Sequence, residues 1–135
     1  MKKLTAFILA LFCVFWFVGC KNKSMYQPTE VENVSIRISD VSSTGATAII
    51  QDSNEQPYLY GEWYKIERCL DGQWYDVDTV IDNYGFNMIG YMPDIHGEIK
   101  FSINWEWLYG KLPSGDYRIQ KHVDSQTISV AFHIE

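Results

Sequence analysis

The last strand-like stretch of the chain places Ile128, Val130, Phe132 and Ile134 in alternation with Thr127, Ser129, Ala131 and His133. A period of two sends successive side chains to opposite faces, so such a stretch builds a half-buried β-strand and not a helix. The same pattern recurs at Val34, Ile36 and Ile38, and again at Ile99, Phe101 and Ile103, each set separated by polar or charged residues. Residues 46–51 read as a further strand. Residues 60–70 and 73–81 read as a hairpin joined by Asp71-Gly72, a pair suited to a two-residue turn with positive φ at both positions. Residues 84–93, interrupted by Gly85 and Gly90, suggest at most a short irregular strand. Residues 105–110 are too few for more than a turn or one 3₁₀ segment. Seven or eight short strands spaced about ten residues apart predict an all-β, antiparallel sandwich.

Ahead of this body, Lys2 and Lys3 precede an apolar run from Leu4 to Val18. The order is that of a secretory signal, and the run falls short of the roughly twenty residues that span a bilayer as a helix. Its boundary, Phe17-Val18-Gly19-Cys20, resembles a bacterial lipobox, with phenylalanine where leucine is commonest. That resemblance implies a signal peptide over 1–19, with Cys20 as the lipid-attachment residue and first mature residue. The membrane is then a partner through the N-terminal lipid, whose several acyl chains give stable anchoring where one would be marginal. Lys21 stands where aspartate would signal inner-membrane retention in two-membrane bacteria. Residues 20–33 read as the lipidated end and a flexible tether with a mean reach of about 20 Å; residues 34–135 read as the folded domain.

Charge and cysteine usage narrow the possibilities. Without residues 1–19 the 11 basic residues become 9 against 17 acidic ones, a net charge of −8. That balance argues against nucleic acid as a partner, because phosphate binding requires a basic face. Cys13 leaves with the signal and Cys20 is committed to lipid, which leaves Cys69 alone in the folded part. No disulfide within the domain follows, so packing must hold it together unless Cys69 pairs between chains. Cys69 reads as a small, strand-lining hydrophobe.

The stretch Leu112 to Ile119, LPSGDYRI, sets a proline-glycine turn before Tyr117 and a strand. In immunoglobulin-like sandwiches a tyrosine near the start of the penultimate strand turns its hydroxyl back to the backbone a few residues upstream. The order predicts a tyrosine corner from Leu112, Gly115 and Tyr117, a structural role. The segments YGEWYKIERCLDGQWYDV at 60–77 and INWEWLYGKLPSGDYRIQK at 103–121 together resemble a family of bacterial immunoglobulin-like domains found in secreted and lipid-anchored proteins. The resemblance extends over most of the chain after residue 45. It implies an exported immunoglobulin-like sandwich and brings no catalytic residues.

Residues that could carry chemistry form no familiar arrangement. His96, His122 and His133 lack metal-ligand spacing, although His122 and His133 are expected to face each other on the polar side of the last hairpin. Asp71, Asp76, Asp78 and Asp82 are locally dense but form no calcium loop, and read as a solvated face. Glu62, Glu67, Glu98 and Glu106 could supply a carboxylate pair, but there is no nucleophile elbow, phosphate loop or cysteine-histidine motif. No catalytic residue, no metal site and no cofactor is assigned.

The tryptophans Trp63, Trp74, Trp105 and Trp107 and their tyrosine neighbours fill a core or form a surface patch. Trp63 and Tyr64 are adjacent on a strand, so at least one points away from the main core. The expected function is a non-enzymatic, lipid-anchored interaction module facing the extracytoplasmic side, using a sheet face or end loops to bind protein, peptide or glycan, a reading that a contiguous exposed aromatic patch would favour. The alternative is an accessory domain that pairs with a partner protein through an edge strand.

Overall fold

A computed structural model describes residues 22–135; Cys20 and the expected signal at 1–19 lie outside the described residues. Seven strands follow in order: β1 Val34–Ser39, β2 Gly45–Asp52, β3 Lys65–Leu70, β4 Gln73–Asp76, β5 Glu98–Asn104, β6 Gly115–Val123 and β7 Gln126–Ile134, with a single helical turn, α1 Glu106–Tyr109, between β5 and β6. They form two antiparallel sheets, β1-β2-β5 and β4-β3-β6-β7. The result is the all-β antiparallel sandwich that the alternation predicts, of the immunoglobulin-like kind that the resemblance implies.

Each alternating stretch sends its apolar set between the sheets. Ala48 and Ile50 from β2, Ile66 from β3 and Ile119 from β6 are fully buried there. Trp105 is buried beside them, its ring 5.5 Å from that of Phe132 and its Nε1 donating to the Ser43 carbonyl at 2.9 Å. Burying side chains of this kind contributes roughly 1.5–3 kcal/mol each, without any cross-link. Cys69 is half-buried and unpaired.

The Asp71-Gly72 turn has φ of 51° and 75° at its two central residues and joins β3 to β4. The paired region is shorter than the sequence suggests. After Asp76 the chain leaves the ladder, and the Val80 N–H donates to the Leu108 carbonyl at 2.8 Å. Residues 84–93 form no strand. Tyr91 makes one isolated bridge, to Tyr60. The turn at 106–109 is α-helical and not 3₁₀, because the buried Trp105 sets its carbonyl to accept from Tyr109 N–H at 2.8 Å.

The largest departure concerns residues 22–33, expected as a free tether. The Asp76 N–H donates to the Asn22 carbonyl at 2.8 Å and the Ser24 N–H to the Trp74 carbonyl at 3.2 Å, so this segment lines the outer edge of β4. It then crosses the outer face of the larger sheet. Tyr26 packs 5.5 Å from the Trp63 ring with Lys65 Nζ 4.7 Å above it, Thr29 N–H reaches the Thr127 carbonyl at 2.8 Å, and Val31 is buried. One aromatic anchor and a few backbone bonds hold a polar segment that composition alone reads as coil.

Candidate functional site

Two opposite flanks of the sandwich carry the features that could engage a partner. One lies at β4 and β5, the other at β7 and β1, the edge strands of the two sheets.

The β4–β5 flank is closed by residues 77–97, a long connection without strands. Long irregular segments in compact domains are uncommon and often functional. Here the segment leaves Val80, Met88, Ile89, Met92 and Ile95 exposed, together with Leu59 beside Gly90. Tyr84, Phe86 and Trp107 form an edge-to-face cluster at its upper end, with ring centroids 5.9–6.5 Å apart. Below that cluster Phe86, Met88, Ile89 and Trp63 wall a shallow depression of about 410 Å³. A second, of about 240 Å³, lies between Tyr64, Phe101 and Trp107 with Glu62 and Asn104 at its rim.

Beneath this flank lie Lys121, Glu62 and Tyr64, three ionisable groups. Lys121 projects between the sheets, where its Nζ donates to the Gly61 carbonyl at 2.6 Å and sits 3.8 Å from the Phe101 ring centroid. Burial pushes its amine down to about 7, against a small opposing pull from Glu62. Glu62 itself accepts from the Tyr91 hydroxyl at 2.8 Å. Burial pushes the Tyr64 hydroxyl up to about 12. At the foot of the sandwich, burial raises the Asp52 carboxyl, but bonds from the Tyr58 and Asn54 backbones and the Tyr60 and Asn54 side chains together hold it below the ordinary range.

The β7–β1 flank is built differently. β7 is an edge of nine residues that contains neither lysine nor proline. Those are common means of blunting an edge against pairing. The Thr127 carbonyl points away from β6 to receive Thr29 N–H. Antiparallel alternation therefore turns the backbone N–H and C=O of Ser129, Ala131 and His133 outward too. Among the described residues these groups have no backbone partner on that side. β1 approaches without bonding to β7, and a groove of about 420 Å³ runs between Val34, Ile36 and Ile128, floored by residues 28–31.

The residues singled out in the sequence are dispersed. Tyr117 is buried against Phe132, and its hydroxyl donates to the Pro113 carbonyl at 2.7 Å. Leu112 is buried and Gly115 lies against the Arg68 guanidinium, which bonds the Ser114 carbonyl at 3.1 Å. His122 and His133 do not meet. His122 stands opposite Thr127 and stacks on Trp63 at 3.6 Å between centroids, while His133 pairs with Asp116 at 2.8 Å. The register across the hairpin, fixed by its tight turn, separates them.

The acids are likewise spread. Asp76 pairs with Lys65, and Glu98 with Arg37, each at 2.9 Å. Glu67 is wholly buried on the outer face, where Arg118 and Gln120 bond it and Trp74 stacks over Arg118. Among the described residues no cluster of three or more potential metal ligands occurs. Of the tryptophans, Trp105 is core, Trp63 and Trp74 are half-buried, and Trp107 is exposed. Sequence reasoning missed the buried Lys121 and the docked segment at Tyr26. Lys121 could have been suspected from its place between Ile119 and Val123 on the apolar side of β6.

The two packed antiparallel sheets define an immunoglobulin-like domain. The family model for the bacterial Ig-like domain matches residues 29–133, and the chain belongs to that family. Domains of this family are typically extracellular or surface-exposed, and are generally non-catalytic modules for binding or interaction. Neither the curated proteins nor the solved structures contain a match to the chain.

Proposed function

We propose that this protein is a lipid-anchored interaction module of the bacterial envelope, held at the membrane through Cys20, that receives a partner polypeptide as an added strand along β7. The observation that carries this reading is the unblunted edge of β7, with outward backbone groups at Ser129, Ala131 and His133. Strand addition takes its affinity from such groups and its specificity from adjoining pockets for alternate side chains. The groove beside Ile128 and Ile36, lined also by Thr29, Glu30, Ser35 and Ser129, supplies a mixed polar and apolar pocket for such side chains. Edge pairing is thus favoured over a glycan platform, since three of the four tryptophans expected for a patch are wholly or partly buried.

A photo-crosslinking residue at His133 in intact cells tests the reading. One adduct should recur, should be lost in Ala131→Pro, which removes an outward N–H, and should survive in Ala131→Val. An adduct indifferent to proline at 131 would contradict strand addition. Incorporation of radiolabelled palmitate into the wild type but not into Cys20→Ala tests the anchor separately.

A further inference from the structure

We propose that the β4–β5 flank lies against the lipid surface that the acylated Cys20 enters, with Met88, Ile89 and Leu59 inserted at headgroup level. This rests on the lipid anchor at Cys20. The pairing of Asn22 with the edge of β4 carries the inference. Asn22 is fixed to Asp76 at the edge of β4, and Lys23 bridges Tyr75. Only two peptide steps separate Cys20 from Asn22, at most about 7 Å of extended chain. The anchor therefore has no tether in which to lift the domain away, and the flank that contains β4 is held at the interface.

That flank is also where apolar side chains face outward. Met88 is fully exposed and Leu59 and Ile89 are more than half exposed. The surface is continuous with the root of the anchor. Met25 is 87% exposed, its neighbour Tyr26 packs on Trp63, and Trp63 walls the same depression as Met88 and Ile89. Contiguous exposed apolar surface of this kind marks a protein or membrane contact, and the short covalent leash selects the membrane. Asp78, Asp82 and Asp94 share the segment, so attraction to anionic lipid is not what holds the flank down. Zwitterionic vesicles should suffice.

The test uses the full chain, acylated in its bacterial host and reconstituted into phosphatidylcholine vesicles whose lipids are brominated in the upper acyl chain. In a Cys69→Ser background, an environment-sensitive fluorophore is placed at Met88→Cys, at Leu59→Cys, or at Ala131→Cys on the opposite flank. Quenching at 88 and 59 should exceed that at 131 at least twofold. Equal quenching at all three positions, with the mass of the N-terminal peptide showing acylated Cys20, would overturn the docking while leaving the anchor intact. An N-terminal peptide without lipid would remove the anchor, and the docking with it.

Discussion

At the scale of single residues, the fold tolerates ionisable groups inside the sandwich only where geometry answers them. Lys121 is the sharpest case, since its amine has one carbonyl, one aromatic ring and the distant pull of Glu62. Its folded-state value of about 7 lies below the ordinary 10.5 of the unfolded chain. Between those values the unfolded chain holds the extra proton, so stability rises with pH, by at most about 1.4 kcal/mol per pH unit. Chemical denaturation of the wild type from pH 7 to 10 should show that rise, and Lys121→Met should flatten it; a parallel slope in the variant would contradict the assignment. Above about pH 10 the trend reverses, because Tyr60, Tyr64 and Tyr109 all have hydroxyls raised above their ordinary value by burial. Tyr117 contributes differently, through the bond from its hydroxyl to the Pro113 carbonyl. Tyr117→Phe should lower stability by about 1 kcal/mol. An unchanged melting temperature would remove the structural role proposed for that corner.

At the scale of elements, legibility follows how local the determinant is. The strands at 34–39, 98–104 and 126–134 were readable because alternation is a property of consecutive residues, and the β3–β4 turn because Asp71-Gly72 carries its own backbone preference. The course of residues 77–97 was not readable, since it is set by Tyr60, Leu108 and the aromatic cluster around Trp107, none of them local. Residues 22–33 escaped for the same reason: Tyr26 meets Trp63, Lys65 and His122 only after the sheet has formed. If Tyr26 is what pins this segment, Tyr26→Ser should free it while leaving the sandwich folded. Trypsin should then cut after Lys23 several-fold faster, because cleavage follows the population of the locally open form. Equal cleavage rates in the two proteins would mean that the backbone bonds at Ser24 and Thr29 suffice without the ring.

At the scale of the whole molecule, the two proposed surfaces sit on opposite edges of one sandwich, and this arrangement has a mechanical meaning. A domain held at the β4–β5 flank presents β7 away from the lipid, toward whatever approaches from outside. Sites that share no side chains and are separated by a packed core act additively as a rule. Membrane docking and strand pairing should therefore be separable by mutation. Met88→Glu with Ile89→Glu should abolish lipid quenching of a fluorophore at Leu59→Cys while leaving the His133 crosslink at its wild-type yield. Ala131→Pro should do the reverse, losing the crosslink with quenching at position 59 intact. Loss of the crosslink together with the quenching in the Met88→Glu, Ile89→Glu variant would show that the flanks are coupled through the sheet, and that the domain pairs with its partner only when seated on the membrane.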